Sequence, residues 1–119
     1  MLFRVDPGSS TPLGDQIAAS IRGAIADGRT PAGERLPSAR QLAESLGVNV
    51  HTVLRGYQQL RDEGLIELRR GRGAVVTGVE PEARARLSAE VRVLVEDART
   101  LGLSDEQILA LVRAALTDH

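Results

Sequence analysis

The stretch from Glu34 to Val76, ERLPSARQLAESLGVNVHTVLRGYQQLRDEGLIELRRGRGAVV, decides the fold of this chain. It holds two short helical patterns separated by Gly47, and the second pattern opens with the polar residues Asn49, His51 and Thr52. Two β-type runs follow, joined by a segment rich in Gly and Arg. This order predicts two helices and a β-hairpin. The polar start of the second helix indicates an end that faces something outside the protein.

The two helices have clear start and stop signals. Ser38 is the predicted N-cap of the first helix, and Gly47, in a left-handed conformation, is its predicted end. Asn49 is the predicted N-cap of the second helix, which ends near Gly64. Two short helices joined at a glycine, with the small Ala43 where the second helix crosses, are typical of a helix-turn-helix. Because such motifs also occur in proteins that bind no nucleic acid, this spacing leaves the function open.

The second helix of the pair has an apolar face and a hydrogen-bonding face. On a wheel of about 100° per residue, Val53, Tyr57 and Leu60 point to one side. The opposite side carries His51, Arg55, Gln58 and Asp62, with Thr52 and Gln59 at its flank. Forked donors and amides of this kind reach base edges, whereas a face that is only solvated more often carries Glu/Lys pairs. The pattern favours a recognition helix over a solvated surface.

The hairpin that follows has a basic tip. Its strands are predicted over residues 65–68 and 74–77. Between them, Arg69, Arg70 and Arg72 alternate with Gly71 and Gly73. Glycines allow a tight turn close to a surface, and the arginines are suited to phosphates or to a minor groove. The alternative is a tight turn that carries arginine for solubility.

The segment before this stretch predicts one more helix. Leu13, Ile17, Ile21 and Ile25 recur every fourth residue and form one helical stripe. Thr11 is the predicted N-cap, Pro12 the first helical position, and Gly28 the end. The segment RTPAGERLP, residues 29–37, is predicted to be a loop.

The end of the chain predicts a helical tail. GVEPEA, residues 78–83, is a predicted linker, and Ser104 with Gln107 has the form of a capping box that starts a last helix. The overall class is therefore mainly α with a small β-hairpin. We expect a winged helix-turn-helix over residues 1–78 and a two-helix dimerisation segment over residues 79–119.

The tail can hardly form a core of its own. Its first helix carries apolar residues at spacings of 4 and 3, which suits packing on another helix. We therefore expect these faces to meet across the twofold axis of a homodimer. The predicted interface consists of Leu87, Val91, Leu94, Ala98, Leu101, Ile108, Leu109, Val112 and Leu116. The alternative is that they fold back on the winged domain of the same chain.

Composition narrows the function classes. The 119 residues contain no cysteine, which excludes disulfides and thiolate sites, and no apolar run long enough to span a bilayer. Without a secretion signal, a cytoplasmic protein is expected. Residues 33–73 hold seven Arg and five acidic residues, a net charge of +2, whereas residues 80–119 have a net charge of −3. All 15 basic residues are Arg, which suits phosphate and guanine, although a GC-rich genome is an alternative cause.

An enzyme is not expected. Only His51 and His119 provide imidazoles, and neither paired carboxylates, a phosphate loop nor metal-ligand spacing is recognisable. GRGAVV is a weak glycine motif without a following helix. No catalytic residue, metal or cofactor is therefore predicted. A winged helix that makes only protein–protein contacts remains as the second interpretation.

The motifs ERLPSARQLA, LGVN, TV, EGLI and GRGAVV follow one another as in the winged helix of GntR-family bacterial transcription regulators, which residues 9–78 resemble. VNVHTVLRGYQQL is similar to the VNPNTVxRAYxxL form of the YtrA subfamily, which has a short helical tail in place of a large effector domain. Val50, His51 and Gly56 depart from the Pro, Asn and Ala of that form. We expect the changes at His51 and Gly56 to alter which bases are read.

The resemblance implies a homodimeric repressor on a twofold-symmetric operator in double-stranded DNA, with targets such as its own operon and a neighbouring ABC transporter. A small-molecule effector is left unassigned. Ser38 would then donate to a phosphate, and Arg40 would reach a guanine or a nearby phosphate, unless it pairs with Glu44. The other implied DNA-binding residues are Asn49, His51, Thr52 and Arg55 in the major groove or at its walls, and Arg69, Arg70, Gly71 and Arg72 at the wing.

Overall fold

The computed structural model describes residues 5–69, 73–78 and 80–117, which fall into two compact units, Met1–Leu87 and Ser88–His119. The elements are α1 (Leu13–Ala26), α2 (Ala39–Leu46), α3 (Val50–Asp62), β1 (Ile66–Arg69), β2 (Gly73–Val76), α4 (Pro81–Thr100) and α5 (Asp105–Thr117). The predicted class, mainly helical with one small hairpin, is confirmed. No helix in the described ranges is long and apolar enough to cross a membrane.

The core of the first unit is built around α1 and α3. The α1 residues Ile17, Ile21 and Ile25 are fully buried, as their spacing predicts. They share one hydrophobic cluster with the buried stripe of α3, which includes Val53 and Leu60. Each helix therefore buries the face that its apolar periodicity defines, and α3 keeps its other face exposed.

A close approach of α1 and α3 occurs at Gly56. A Cβ atom at this position would lie 2.9 Å from the carbonyl oxygen of Gly14 and 3.3 Å from Cγ2 of Ile17. Gly56 is buried in this contact. Gly56 was expected to alter which bases are read, but this position faces α1 and not the outward surface of α3. Any effect of Gly56 on base reading would therefore be indirect, through helix packing.

The helix termini are set by local hydrogen bonds. Ser38 and Gln41 form a capping box at α2, in which the Gln41 amide donates to Ser38 Oγ over 3.1 Å. Gly47 ends α2 with a φ of 70°, and Asn49 Oδ1 accepts from the His51 amide over 2.8 Å. These predictions are confirmed. The predicted Thr11 cap of α1 is wrong by one residue: Pro12 is the N-cap, and its carbonyl accepts from the Gln16 amide.

The hairpin pairs β1 with β2 in antiparallel register from Ile66↔Val76 to Arg69↔Gly73. Both strands are displaced by one residue towards the tip relative to the prediction. The predicted loop before α2 is also wrong in part, because residues 33–36 run alongside β2. The Leu36 amide donates to the Ala74 carbonyl over 2.8 Å, and the Val76 amide donates to the Glu34 carbonyl over 2.9 Å. This pairing satisfies backbone groups of β2 that would otherwise stay open at a sheet edge.

A buried ion pair joins α1 to the end of α3. The Arg22 guanidinium donates two hydrogen bonds to the Glu63 carboxylate, from Nε to Oε1 over 2.7 Å and from Nη2 to Oε2 over 2.6 Å. The side chains are only 5% and 13% exposed. Such a bidentate pair combines charge with fixed geometry, so it sets the position of the residue at which α3 gives way to the hairpin.

The first helix of the tail begins earlier than the sequence suggests. α4 starts at Pro81, inside the predicted linker, and Ala85 on its second turn is fully buried in the first unit. Arg86 Nη1 donates to the Ala26 carbonyl at the end of α1 over 3.0 Å. The two compact units divide after Leu87, and the assignment of domains 1–78 and 79–119 stays a prediction. In the second unit, the capping box that was predicted for the start of α5 is confirmed, with distances of 2.8 and 3.2 Å.

Two helical glycines allow a matched test of the α1–α3 contact. Gly23→Ala on the exposed face of α1 meets no atom within 4 Å, so helix propensity alone should raise the free energy of unfolding by about 1 kcal/mol. Gly56→Ala gains the same propensity but forces a Cβ against the Gly14 carbonyl, and overpacking costs about 1–3 kcal/mol. We expect opposite signs in urea denaturation. Stabilisation by both substitutions would contradict the close contact.

Candidate nucleic-acid interface

The outward face of α3 carries the side chains that the wheel predicted. His51, Arg55, Gln58 and Asp62 are exposed, whereas Thr52 is half-buried beside the first turn of α1. A Cβ added at Gly14 would lie 3.3 Å from the Thr52 carbonyl oxygen and 3.5 Å from Arg55 Cβ. The backbone of α1 therefore supports the first two turns of α3 from behind.

Ser38 and Asn49 combine capping with exposure. The Ser38 Oγ atom accepts from the Gln41 amide, so the hydroxyl hydrogen remains available as a donor. Asn49 uses its side-chain carbonyl oxygen on the His51 amide, which leaves its NH₂ group as a donor in an exposed residue. Both predicted DNA-binding residues can thus hold a helix terminus and present a donor to a phosphate or base.

Arg40 is exposed on the first turn of α2. The alternative role for this residue, an ion pair with Glu44, is not found: between residues 5 and 69, no carboxylate lies within 4 Å of its guanidinium. The same holds for Arg55 on α3. Two guanidinium groups near the helix-turn-helix are therefore available to an anionic partner.

The wing is described up to Arg69. Its Nη2 atom lies 3.0 Å from Glu67 Oε2, and both side chains are about half exposed. An exposed pair of this type contributes little to stability, so phosphate can compete with Glu67 for the guanidinium. The other predicted wing residues, Arg70, Gly71 and Arg72, lie outside the residues that the structure describes.

Tyr57 connects the two helices of the motif. Its hydroxyl donates to the Pro37 carbonyl over 2.6 Å, one residue before the Ser38 cap, while its ring is 2% exposed. Burial raises the pKa of the phenol, which therefore stays protonated as a donor. The sequence analysis placed Tyr57 only in the core. A tyrosine in an apolar stripe was the available signal, because a buried hydroxyl needs an acceptor.

The tail exposes an apolar surface. Every large hydrophobic side chain that is exposed in the described ranges lies between residues 87 and 116. The predicted interface residues among them are Leu87, Val91, Leu94, Leu101, Leu109, Val112 and Leu116. Ala98 is half-buried, and Ile108 differs from the others because it is 7% exposed within its own chain. Several exposed large apolar side chains within one segment are typical of an interaction surface.

Among the described residues, no three His, Cys, Asp or Glu side chains lie together in a way that could hold a metal ion.

Known proteins match this chain over both the motif and the tail. The profile of bacterial regulatory proteins of the gntR family matches residues 13–76. The HTH-type transcriptional repressor YtrA of Bacillus subtilis (strain 168) is 30% identical over 122 residues, with 98% of this chain and 94% of that protein covered. Among solved structures, YtrA from Sulfolobus acidocaldarius, a GntR-family transcription factor, is 37% identical with a TM-score of 0.64 and covers 84% of this chain and 99% of its own.

A structure with bound DNA is also similar. AraR(DBD) in complex with operator ORX1 is 27% identical, has a TM-score of 0.56, and covers 64% of this chain and 93% of its own. The resemblance that the sequence motifs carry is thereby confirmed. These relatives are regulators, which supports a non-enzymatic role and does not support a module for protein contacts alone.

Removal of the Tyr57 hydroxyl should weaken the link between α2 and α3. Tyr57→Phe deletes one hydrogen bond, which costs about 1 kcal/mol of unfolding free energy. Tyr57 is the only tyrosine, and the chain has neither Lys nor Cys, so no other side chain titrates near pH 10.

Because the pKa of Tyr57 is raised, the contribution of its buried hydroxyl to stability can be tested by varying the pH. Above about pH 10 the unfolded chain loses the phenolic proton before the folded chain does, so wild-type stability falls as pH rises, by at most about 1.4 kcal/mol per pH unit. Tyr57→Phe should show a flat profile between about pH 9.5 and 11.5 in urea denaturation. An equal decline in both proteins would contradict the buried hydrogen bond.

Proposed function

The chain belongs to the GntR family of bacterial regulatory proteins and is a DNA-binding transcriptional regulator, and we propose that it acts as a homodimeric repressor on a twofold-symmetric operator. One observation carries the proposal: the capped, exposed starts of α2 and α3 present hydrogen-bond donors together with two arginines that have no acidic partner among residues 5–69. This combination suits the phosphates and base edges of a duplex.

In the proposed complex, α3 enters the major groove with its amino-terminal end first. His51, Thr52 and Arg55 face the bases or the walls of the groove. Ser38 and Asn49 donate to phosphates from the two helix starts, where the helix dipole also favours an anion. Arg40 reaches a guanine, for which its forked donors match the O6 and N7 acceptors.

The proposed wing contact is electrostatic. Arg69 exchanges its Glu67 partner for a phosphate, and Arg70, Gly71 and Arg72 continue the contact at the tip. Because the glycine carries no side chain, the backbone can come close to the DNA surface. Contacts of this kind fix the position of the protein and carry little sequence information by themselves.

The proposed dimer forms through the tail. A groove of about 200 Å³ in the second unit is lined mainly by apolar side chains, among them Leu94, Leu101 and Leu111. This volume is below that of most ligand pockets, which occupy about 300–1,000 Å³. We propose that apolar side chains of a second copy fill it. Two half-sites then repeat with the symmetry of the dimer.

Repression follows from occupancy of the operator. The Bacillus subtilis relative is called a transcriptional repressor, and the YtrA-like motif suggests targets in the protein's own operon and in a neighbouring ABC transporter. The protein is proposed to act in the cytoplasm, where the nucleoid is accessible. Selection of bound fragments from genomic DNA tests this directly, since it returns the site and its symmetry together.

Arg40→Ala tests the proposed DNA face. If Arg40 contacts a guanine, its loss should cost on the order of 1–3 kcal/mol in operator binding, measured by titration at fixed salt. Arg29→Ala is the control, since Arg29 is exposed beyond the carboxyl end of α1 and pairs with Asp27. Wild-type affinity should also fall steeply with added salt, through counterion release. Equal affinities of wild type and Arg40→Ala would remove Arg40 from the interface.

Leu109→Glu tests the proposed dimer. A carboxylate in an apolar subunit contact opposes association, so sedimentation at micromolar concentration should show monomers and operator affinity should drop. Ala114→Glu serves as the matched control, because it is exposed and lies about 140° around α5 from Leu109. The dimer proposal fails if wild type is monomeric, or if Leu109→Glu associates as well as Ala114→Glu.

A further inference from the structure

Residues 33–36 form an extended segment that pairs with β2 through the isolated bridge Arg35↔Val75. The bond from the Leu36 amide to the Ala74 carbonyl and the bond from the Val76 amide to the Glu34 carbonyl flank the antiparallel pair Arg35↔Val75. A pair flanked in this way is of the non-hydrogen-bonded kind, in which the two side chains approach most closely. Backbone hydrogen bonds thus hold Arg35 beside β2, whatever its own side chain contacts.

The strand register assigns Arg35 to the outer face of this small sheet. Val75 pairs with Arg35 on one side and with Glu67 on the other, so the three side chains share a face. Arg69 follows Glu67 by two residues and lies on the same face. Ile66 and Val76, on the other face, are buried in the core.

Arg35 and Glu67 flank Val75 in the register. Both charged residues are exposed, yet Val75 between them is only 8% exposed. Long charged side chains commonly lie along apolar surface in this way while the head group stays in water. The register therefore assigns the Arg35 side chain to the same face as Glu67 and Arg69.

The charged side chains on this face carry a net positive charge. Glu67 is paired with Arg69 over 3.0 Å, whereas no carboxylate in the described ranges lies within 4 Å of the Arg35 guanidinium. Ser38, whose hydroxyl can donate to a phosphate, follows three residues later, within about 10 Å along the chain. Positive charge beside the wing and a donor at the start of α2 therefore lie along one continuous segment.

We propose that Arg35 is a further DNA-binding residue, which contacts a backbone phosphate beside the wing and extends the wing contact onto the strand that leads into α2. This inference rests on the proposed function. The contact is to phosphate, so it contributes to affinity on any sequence and reads no base. From the sequence, residues 29–37 were expected to form a loop, so Arg35 was not among the predicted DNA-binding residues.

Arg35→Met separates charge from packing, since methionine keeps an aliphatic stem over Val75. We expect operator affinity to fall about three- to tenfold and the slope of log K against log salt to decrease by about one. The same loss should occur on random DNA. Arg35→Lys should restore most of the affinity and the slope. Arg29→Met is the control. Its DNA affinity, the salt dependence of its binding and its stability to unfolding should match those of the wild type.

The outcomes separate this inference from the proposed function. A wild-type protein that binds neither selected nor random DNA would contradict the proposed function. If wild type binds and Arg35→Met has the same affinity and salt slope, Arg35 is not in the interface. A loss that leaves the slope unchanged and lowers thermal stability would assign Arg35 to packing only, and a loss confined to the operator would indicate base reading. Each of the last three results would overturn the proposed phosphate contact of Arg35.

Discussion

The burial of one face of α3 against α1 is the constraint on which the rest of the first unit depends. Val53 and Leu60 are completely buried, and Gly56 allows the backbones to approach so closely that a methyl group would collide with the Gly14 carbonyl. A helix held this tightly cannot rotate about its axis without losing the contact. His51 and Arg55 are thus directed outward by packing on the opposite side, and the chemistry of the surface depends on the core.

The remaining elements are attached to this helix pair by polar links. The Arg22–Glu63 pair holds the carboxyl end of α3, where loss of either partner would remove two charge-assisted hydrogen bonds from a buried site. The Tyr57 hydroxyl holds Pro37, and the strand at residues 33–36 holds β2. Each link connects a part of the proposed DNA surface to the same pair of helices.

Local signals in the sequence predicted much of this arrangement. Caps such as Ser38 and Asn49, the left-handed Gly47 and the apolar stripes depend on residues within one or two turns, and all of them are found in the structure. Features that depend on distant partners were missed. Arg35 pairs with Val75 forty positions later, and Ala85 on the second turn of α4 is buried in the core of the first unit. Neither leaves a periodic pattern in its own segment. The helical wheel predicted the exposed face of α3, whereas the DNA-binding roles of Ser38 and Arg40 followed from the family resemblance, because exposure alone does not define a partner.

The carboxylate of Glu67 has a consequence for how this regulator searches a chromosome. In the proposed complex, Arg69 exchanges Glu67 for a phosphate and the freed carboxylate takes up a cation, so the net release of cations is smaller by one than for an unpaired arginine. The affinity for DNA of arbitrary sequence is therefore lower, whereas direct contacts to bases are unaffected. We expect shorter dwell times during one-dimensional sliding, and hence a faster scan between rare targets, in exchange for a small loss of total affinity.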